Sequence, residues 1–467
     1  MSSTMSILKG KRIYIQNGNK HISQARSLLI KDGKISEIND YHYSYAPSLP
    51  VYDFQDWVVM PGLVDTHAHI NEPGRTEWEG FLTATLAAAA GGITTVVDMP
   101  LNSIPATVSQ SAMDEKLKSA SNKCMIDYGL WGGVIPGNDN ELEGMIASGI
   151  MGFKCFLCPS GVDEFPHVQK TDLERAMPIL ARHKIPLLVH AEIEQQHIAE
   201  SVVYPETDYR SYLASRPPSW ELEAISLVIE LAEKYQCPTH VVHLSTAKAL
   251  PMIRAAKERG VPVTVETCPH YLIFDAETVP AGHTEFKCAP PIRDEANRQA
   301  LWGGVKDGTI DFIVSDHSPC TPALKCLESG NFAKAWGGIA GLQFSLPAVW
   351  TEMIKQGLDL SDLIRLMSDR TSQFVGLNDR KGSIAVGKDA DFVVWDPQEN
   401  DAIQANRILH RHKTSPYIGR QIQGRIKQVF LRGNSIFSSG EYIESEFLES
   451  EALTSRRNGQ WMRRGKC

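Results

Sequence analysis

The 467 residues contain no apolar run long enough to cross a bilayer, and the opening MSSTMSILKGKRIYIQNG lacks the apolar stretch and small-residue cleavage site of a secretory signal. The expectation is a cytoplasmic chain with no membrane partner, or one in an organelle if the source is a eukaryote. Blocks of like charge are also missing: 55 acidic and 47 basic residues are interspersed and leave a net charge of −8. That excludes the electrostatic footprint of a nucleic-acid binder. Cysteines are few and odd in number, nine in all, and read as reduced thiols rather than a disulfide framework. The one CxxC, Cys155 to Cys158, sits inside an apolar run with no second pair. With no low-complexity segment and no simple repeat, a small molecule is the expected partner.

What is present is a large apolar complement, 42% of the residues. Eight short runs recur between residues 60 and 320: GLVDTHAH, TTVVDM, YGLWGGV, GFKCFL, PLLVHAE, THVVHLS, VTVETCPHYL and DFIVSDHS. They are continuously apolar rather than alternating, as strands buried on both faces must be. Stretches with helical periodicity lie between them, such as DLERAMPILARHK and AISLVIELAEKY. Eight such units predict an α/β fold, a TIM (β/α)8 barrel over residues 61–374. The flanks, 1–60 and 375–467, are strand-and-turn sequence and are expected to join into one small β-sandwich-like domain. The final ESEFLESEALTSRRNGQWMRRGKC reads as a peripheral helix and tail.

In a barrel of this kind chemistry gathers at the C-terminal ends of the strands. The first run ends in His67 and His69, the fourth carries Lys154, the fifth ends in His190, the sixth in His243 and the eighth in Asp316. Asp98 ends the second run and the seventh carries Glu266 and His270, but the cluster does not need them. Any one histidine could be a hydrogen-bonded core residue, Lys154 could lay its stem along the barrel wall, and Asp316 could be a helix cap. Jointly they predict a metal site. Four imidazoles, one carboxylate and solvent overfill a single zinc and suit two. A lysine ammonium beside two dications is unfavourable. Carbon dioxide captured on Lys154 as a carbamate would make it an anionic bridge and leave the site about one positive charge, suited to polarising a carbonyl.

The segments HAHINEPGRTEWEG, GFKCFL, LLVHAE, VVHLS and VSDHSPCTP resemble the cyclic amidohydrolases of the amidohydrolase superfamily, and the likeness runs through nearly the whole chain. It implies two Zn2+ per subunit, with Co2+, Mn2+ or Fe2+ as possible substitutes, and carbamylation of Lys154 by carbon dioxide or bicarbonate. His67, His69 and Asp316 would hold one ion, and His190 and His243 the other. Asp316 would be the catalytic base and then acid, and the assembly a homotetramer. Dihydroorotases have an arginine where this chain has Asn71, and hydantoinases a tyrosine that CFLCPSGVDEFPH lacks. MPLNSIPAT, KCAPPIR and SDHSPCTPALK are similar to the branch that opens the allantoin ring. There Ala289 and Gly337 would contact substrate through their backbones, with Asn71 nearby. A hydantoinase or dihydropyrimidinase acting on another ring stays open as an alternative, as does a non-catalytic scaffold related to dihydropyrimidinase.

Overall fold

Eight parallel strands stand in chain order around a barrel in the computed structural model, which describes residues 5–18, 20–195, 204–439 and 454–465. They are β1 (Leu63–Ala68), β2 (Ile93–Asp98), β3 (Asp127–Leu130 continued by Gly132–Gly133), β4 (Phe153–Phe156), β5 (Leu187–His190), β6 (Thr239–Val241), β7 (Val263–Thr267) and β8 (Phe312–Ile313). Each apolar run of the sequence supplies one of them. Neighbours pair in parallel from β1 to β8. The ring closes where the chain leaving β8 meets β1: Ala68 bridges to His317, and His69 N donates to His317 O at 2.7 Å.

The barrel interior is filled by Val64, Val97, Trp131, Leu188 and Val242, and helices cover the outside, so the strands are buried on both faces. Trp131 breaks β3 in two, and its indole N–H donates to Thr66 O on β1 at 2.8 Å. The helix Lys170–Arg182 opens on a capping box made by Gln169 and Asp172, and Pro218–Tyr235 opens on a proline. In the helix Phe81–Ala90 every residue but Leu82 is buried. Its alanines let it pack closely against its surroundings.

The terminal segments form one eight-stranded sheet. Asn434–Ser438, Gln421–Leu431, Phe392–Ala402, Val58–Pro61, Met5–Asn17, Lys20–Lys31 and Lys34–Asp40 follow one another across it, and Val51–Asp53 pairs with Met5–Asn17. Val58–Pro61 is the seam, parallel to Met5–Asn17 on one side and antiparallel to Phe392–Ala402 on the other. Gly62 then passes the chain into β1. A Cβ there would lie 2.2 Å from Thr94 Oγ1, so only glycine allows the approach.

The expected C-terminal helix falls largely on residues outside those described. The described part, 454–465, is not peripheral. Tyr128 N donates to Gln460 O at 3.0 Å, Met462 N donates to Tyr128 O at 2.8 Å, and the Met462 side chain is buried with Val64, Trp131 and Val375. The tail thereby closes the base of the barrel. No helix among the described residues is long and apolar enough to cross a membrane.

Candidate metal centre

All six strand-end residues converge on the barrel mouth, and all are buried. His67 Nε2 lies 3.1 Å from Asp316 Oδ1, and His69 Nε2 lies 3.6 Å from the same oxygen. On the other side His190 Nδ1 is 3.0 Å from His243 Nε2. The His67 and His243 rings, 5.4 Å apart, join the two halves. The Lys154 ammonium depresses the basicity of all four histidines, which puts it electrostatically at the centre. His243 and Asp316 have φ of +40° and +43°, a region costly for residues with a side chain. Such strain persists where the surroundings impose it, and it is concentrated at functional sites.

A second layer grips the cluster. Glu266 Oε1 is 2.5 Å from His67 Nδ1, and its Oε2 is 3.0 Å from His240 Nε2. Glu192 Oε2 is 2.7 Å from His190 Nε2 and 2.5 Å from Arg216 Nη1. Carboxylates behind imidazoles fix ring orientation and raise ligand basicity. The cluster expected from sequence does without Glu266 and does not include Glu192. The signal for Glu192 was its place two residues after His190, where strand geometry turns both to one side. Asp98 has a structural part, accepting from Lys116 Nζ at 2.6 Å and from Ile70 N at 2.8 Å. His270 stands closer than expected: Cys268, His270 and Asp316 bring donor atoms within 4.8 Å of one another.

Burial pushes the imidazoles of His67, His69, His190 and His243 below their ordinary range. Burial alone would raise Asp316, but the neighbouring His67 and His69 hold it low and it is anionic. Lys154 is lowered by burial to about 8. His67 Nε2 and His243 Nδ1 are buried without a hydrogen-bond partner, which is costly unless something else binds them. Donors about 2.0–2.1 Å from a tetrahedral ion sit roughly 3.3 Å apart, close to the spacings found here. The donor set fits a metal cofactor.

Beside the cluster opens a cavity of about 560 Å³ whose walls include Tyr212, Arg216, Lys287, Ala289, Trp336 and Gly337. Arg216 leads from it to His190 through Glu192. Ala289 and Gly337 are thus brought together, with an ideal Cβ on Gly337 lying 3.7 Å from Ala289 Cβ. Asn71 is not among the lining residues. It is buried with φ +66°, donates from Nδ2 to Pro319 O at 3.3 Å, and leaves Oδ1 without a partner. The CxxC thiols are unpaired, and burial pushes both up to about 12, which leaves them protonated.

Residues 58–436 match the model of the amidohydrolase family. The chain is 46% identical to an allantoinase of Streptomyces avermitilis, covering 95% of this chain and 98% of that one. It is 44% identical to an allantoinase of Arabidopsis thaliana (93% and 88% covered) and 44% identical to one of Saccharomyces cerevisiae (85% and 87%). Among solved structures, the L-hydantoinase (dihydropyrimidinase) of Arthrobacter aurescens superposes with a TM-score of 0.87 at 29% identity, over 98% of this chain and 99% of that one. The dihydropyrimidinase of Brevibacillus agri gives 0.86 at 26%, over 99% of each. The chain belongs to the amidohydrolase family. Within that family it falls among the allantoinases, and it is a cyclic amide hydrolase.

Proposed function

We propose that the chain hydrolyses the ring amide of allantoin to allantoate, a step of purine degradation, at two divalent ions, zinc in the first place, bridged by a carbamate on Lys154. The observation that carries this reading is the full-length similarity to allantoinases of a bacterium, a plant and a yeast, in a chain whose six candidate metal-site residues are all buried. His67, His69 and Asp316 would hold one ion, and His190 and His243 the other. Bound dications supply Lewis acidity toward the ring carbonyl and acidify the attacking water. Lys154, lowered to about 8 by burial, reaches the neutral amine that attacks carbon dioxide; the nitrogen loses its proton and the side chain becomes an anion. Asp316, anionic at the mouth, takes a proton from the water and delivers it to the leaving ring nitrogen, base first and acid second. The Ala289 and Gly337 backbones would hold the ring at the cavity whose walls they share.

Parallel assays on allantoin, hydantoin, dihydrouracil and dihydroorotate test the reading, with chelated protein given metal, bicarbonate or both. Allantoin is expected to show the highest kcat/KM, and recovery to need metal and bicarbonate together. Preference for another ring overturns the substrate; full activity after exhaustive chelation overturns the metal.

A further inference from the structure

Away from the cluster, two buried lysines keep an unusual set of partners. Lys325 Nζ donates to Lys287 O at 2.8 Å, to Trp336 O at 2.9 Å and to Gly338 O. An ammonium has three protons, so all of them go to backbone carbonyls drawn from two separate loops. Lys287 Nζ donates to Ala335 O at 2.6 Å and Ala333 O at 3.3 Å, and sits 4.7 Å from the centre of the Tyr212 ring. Gly338 N returns a bond to Lys287 O at 2.9 Å. Placing two cations inside the protein against carbonyls and one aromatic ring, with no carboxylate among the described residues bonded to either, is costly, and burial lowers both to about 8. An apolar side chain of similar length would fill the same space without that cost, but could not tie the loops.

The loops so tied, 287–289 and 333–338, are facing walls of the cavity that holds Ala289 and Gly337. They also abut the turn after Asp316. A Cβ on Gly338 would lie 2.3 Å from Ser318 O, and Ser318 N donates to Ile339 O at 3.0 Å. We infer that Lys325, supported by Lys287, is a positioning residue for substrate, setting the spacing of the Ala289 and Gly337 backbones and so the grip on the ring. The inference rests on the reading of those two residues as ring contacts. It deepens that reading by naming side chains remote from the metal donors that tune affinity for the ring.

Steady-state kinetics of Lys325→Met, Lys325→Gln and Lys287→Met, each with metal analysis, test it. Lys325→Met strands the Trp336 and Gly338 carbonyls and leaves Lys287 O with the Gly338 N–H alone, and KM for allantoin is expected to rise about tenfold or more. A kcat within about threefold of wild type and an unchanged metal content complete the expected result. Lys325→Gln keeps two N–H donors and should fall between. A merely structural lysine would reduce the active fraction, lowering kcat with KM unmoved; that result, or an unchanged KM, overturns the inference. If Lys325→Met does not fold, Lys325→Gln and Lys287→Met carry the same split. If wild type prefers another ring, the split is measured on that ring, so that the substrate reading fails while the positioning role is still judged.

Discussion

An ammonium buried among four imidazoles is costly, and Lys154 responds by falling from 10.5 to about 8. In metal-free protein the folded state releases that proton near pH 8 and the unfolded chain near 10.5. The penalty is complete below about pH 8. Between the two values the unfolded chain binds more protons, so stability rises with pH. Chelated wild type in carbon-dioxide-free buffer should therefore be less stable than Lys154→Met at pH 7, by an amount on the order of a few kcal/mol. The gap should narrow toward pH 10. Thermal melts across that range measure it, and a gap independent of pH would refute the buried ammonium. At this scale the six candidate residues could be named from sequence because each closes an apolar run or, for Lys154, lies within one. Glu266 was not, because a carboxylate acquires its role only from the imidazole opposite it, and here that imidazole is His67, 199 residues away; Glu192 carries a local signal in its place two residues after His190.

Among the elements, the seam between β1 and β8 carries the most chemistry for its length. Asp65 accepts from His67 N at 3.1 Å and from Ser315 N at 3.2 Å, and so ties the strand of one proposed ligand to the turn that carries Asp316. Burial raises its carboxyl to about 6. Asp65→Ala leaves two buried N–H groups without an acceptor, a loss of about 2–5 kcal/mol in all. Bound metal per chain should fall with it, since His67 and Asp316 flank the seam. Denaturant unfolding and metal analysis on one preparation would check both, and full metal at wild-type stability would dismiss the seam as a support. Strands were readable because burial on both faces writes a continuous apolar run into each. The tail was misread as peripheral because its partners, Tyr128 and the barrel base, lie far away in sequence and nothing local marks them.

For the whole molecule, the joint between barrel and terminal sheet is ionic and buried. Lys381 Nζ lies 2.6 Å from Asp127, 2.6 Å from Asp391 and 3.0 Å from Asp389, while Arg432 reaches Asp127 at 2.5 Å and Arg380 reaches Asp389 at 2.7 Å. Asp127 begins β3 and Asp391 precedes a strand of the sheet, so one ammonium spans both bodies. Lys381→Met would leave buried carboxylates short of a cation, at a cost of about 3–5 kcal/mol. Because the seam strand Val58–Pro61 runs directly into β1, unfolding should remain a single cooperative transition with a lower midpoint. Calorimetry showing two separated transitions would mean the bodies are independent.

The sequence alone determined the barrel and the mouth at which its polar residues gather. Those features are local: a strand announces itself by its own burial, and barrel geometry places every strand end at one mouth. Tertiary structure decided which carboxylate stands behind which histidine, that the tail closes the base, and that two lysines tie the cavity walls. These depend on groups distant in sequence meeting at hydrogen-bond distance, and no periodicity within a segment encodes that meeting.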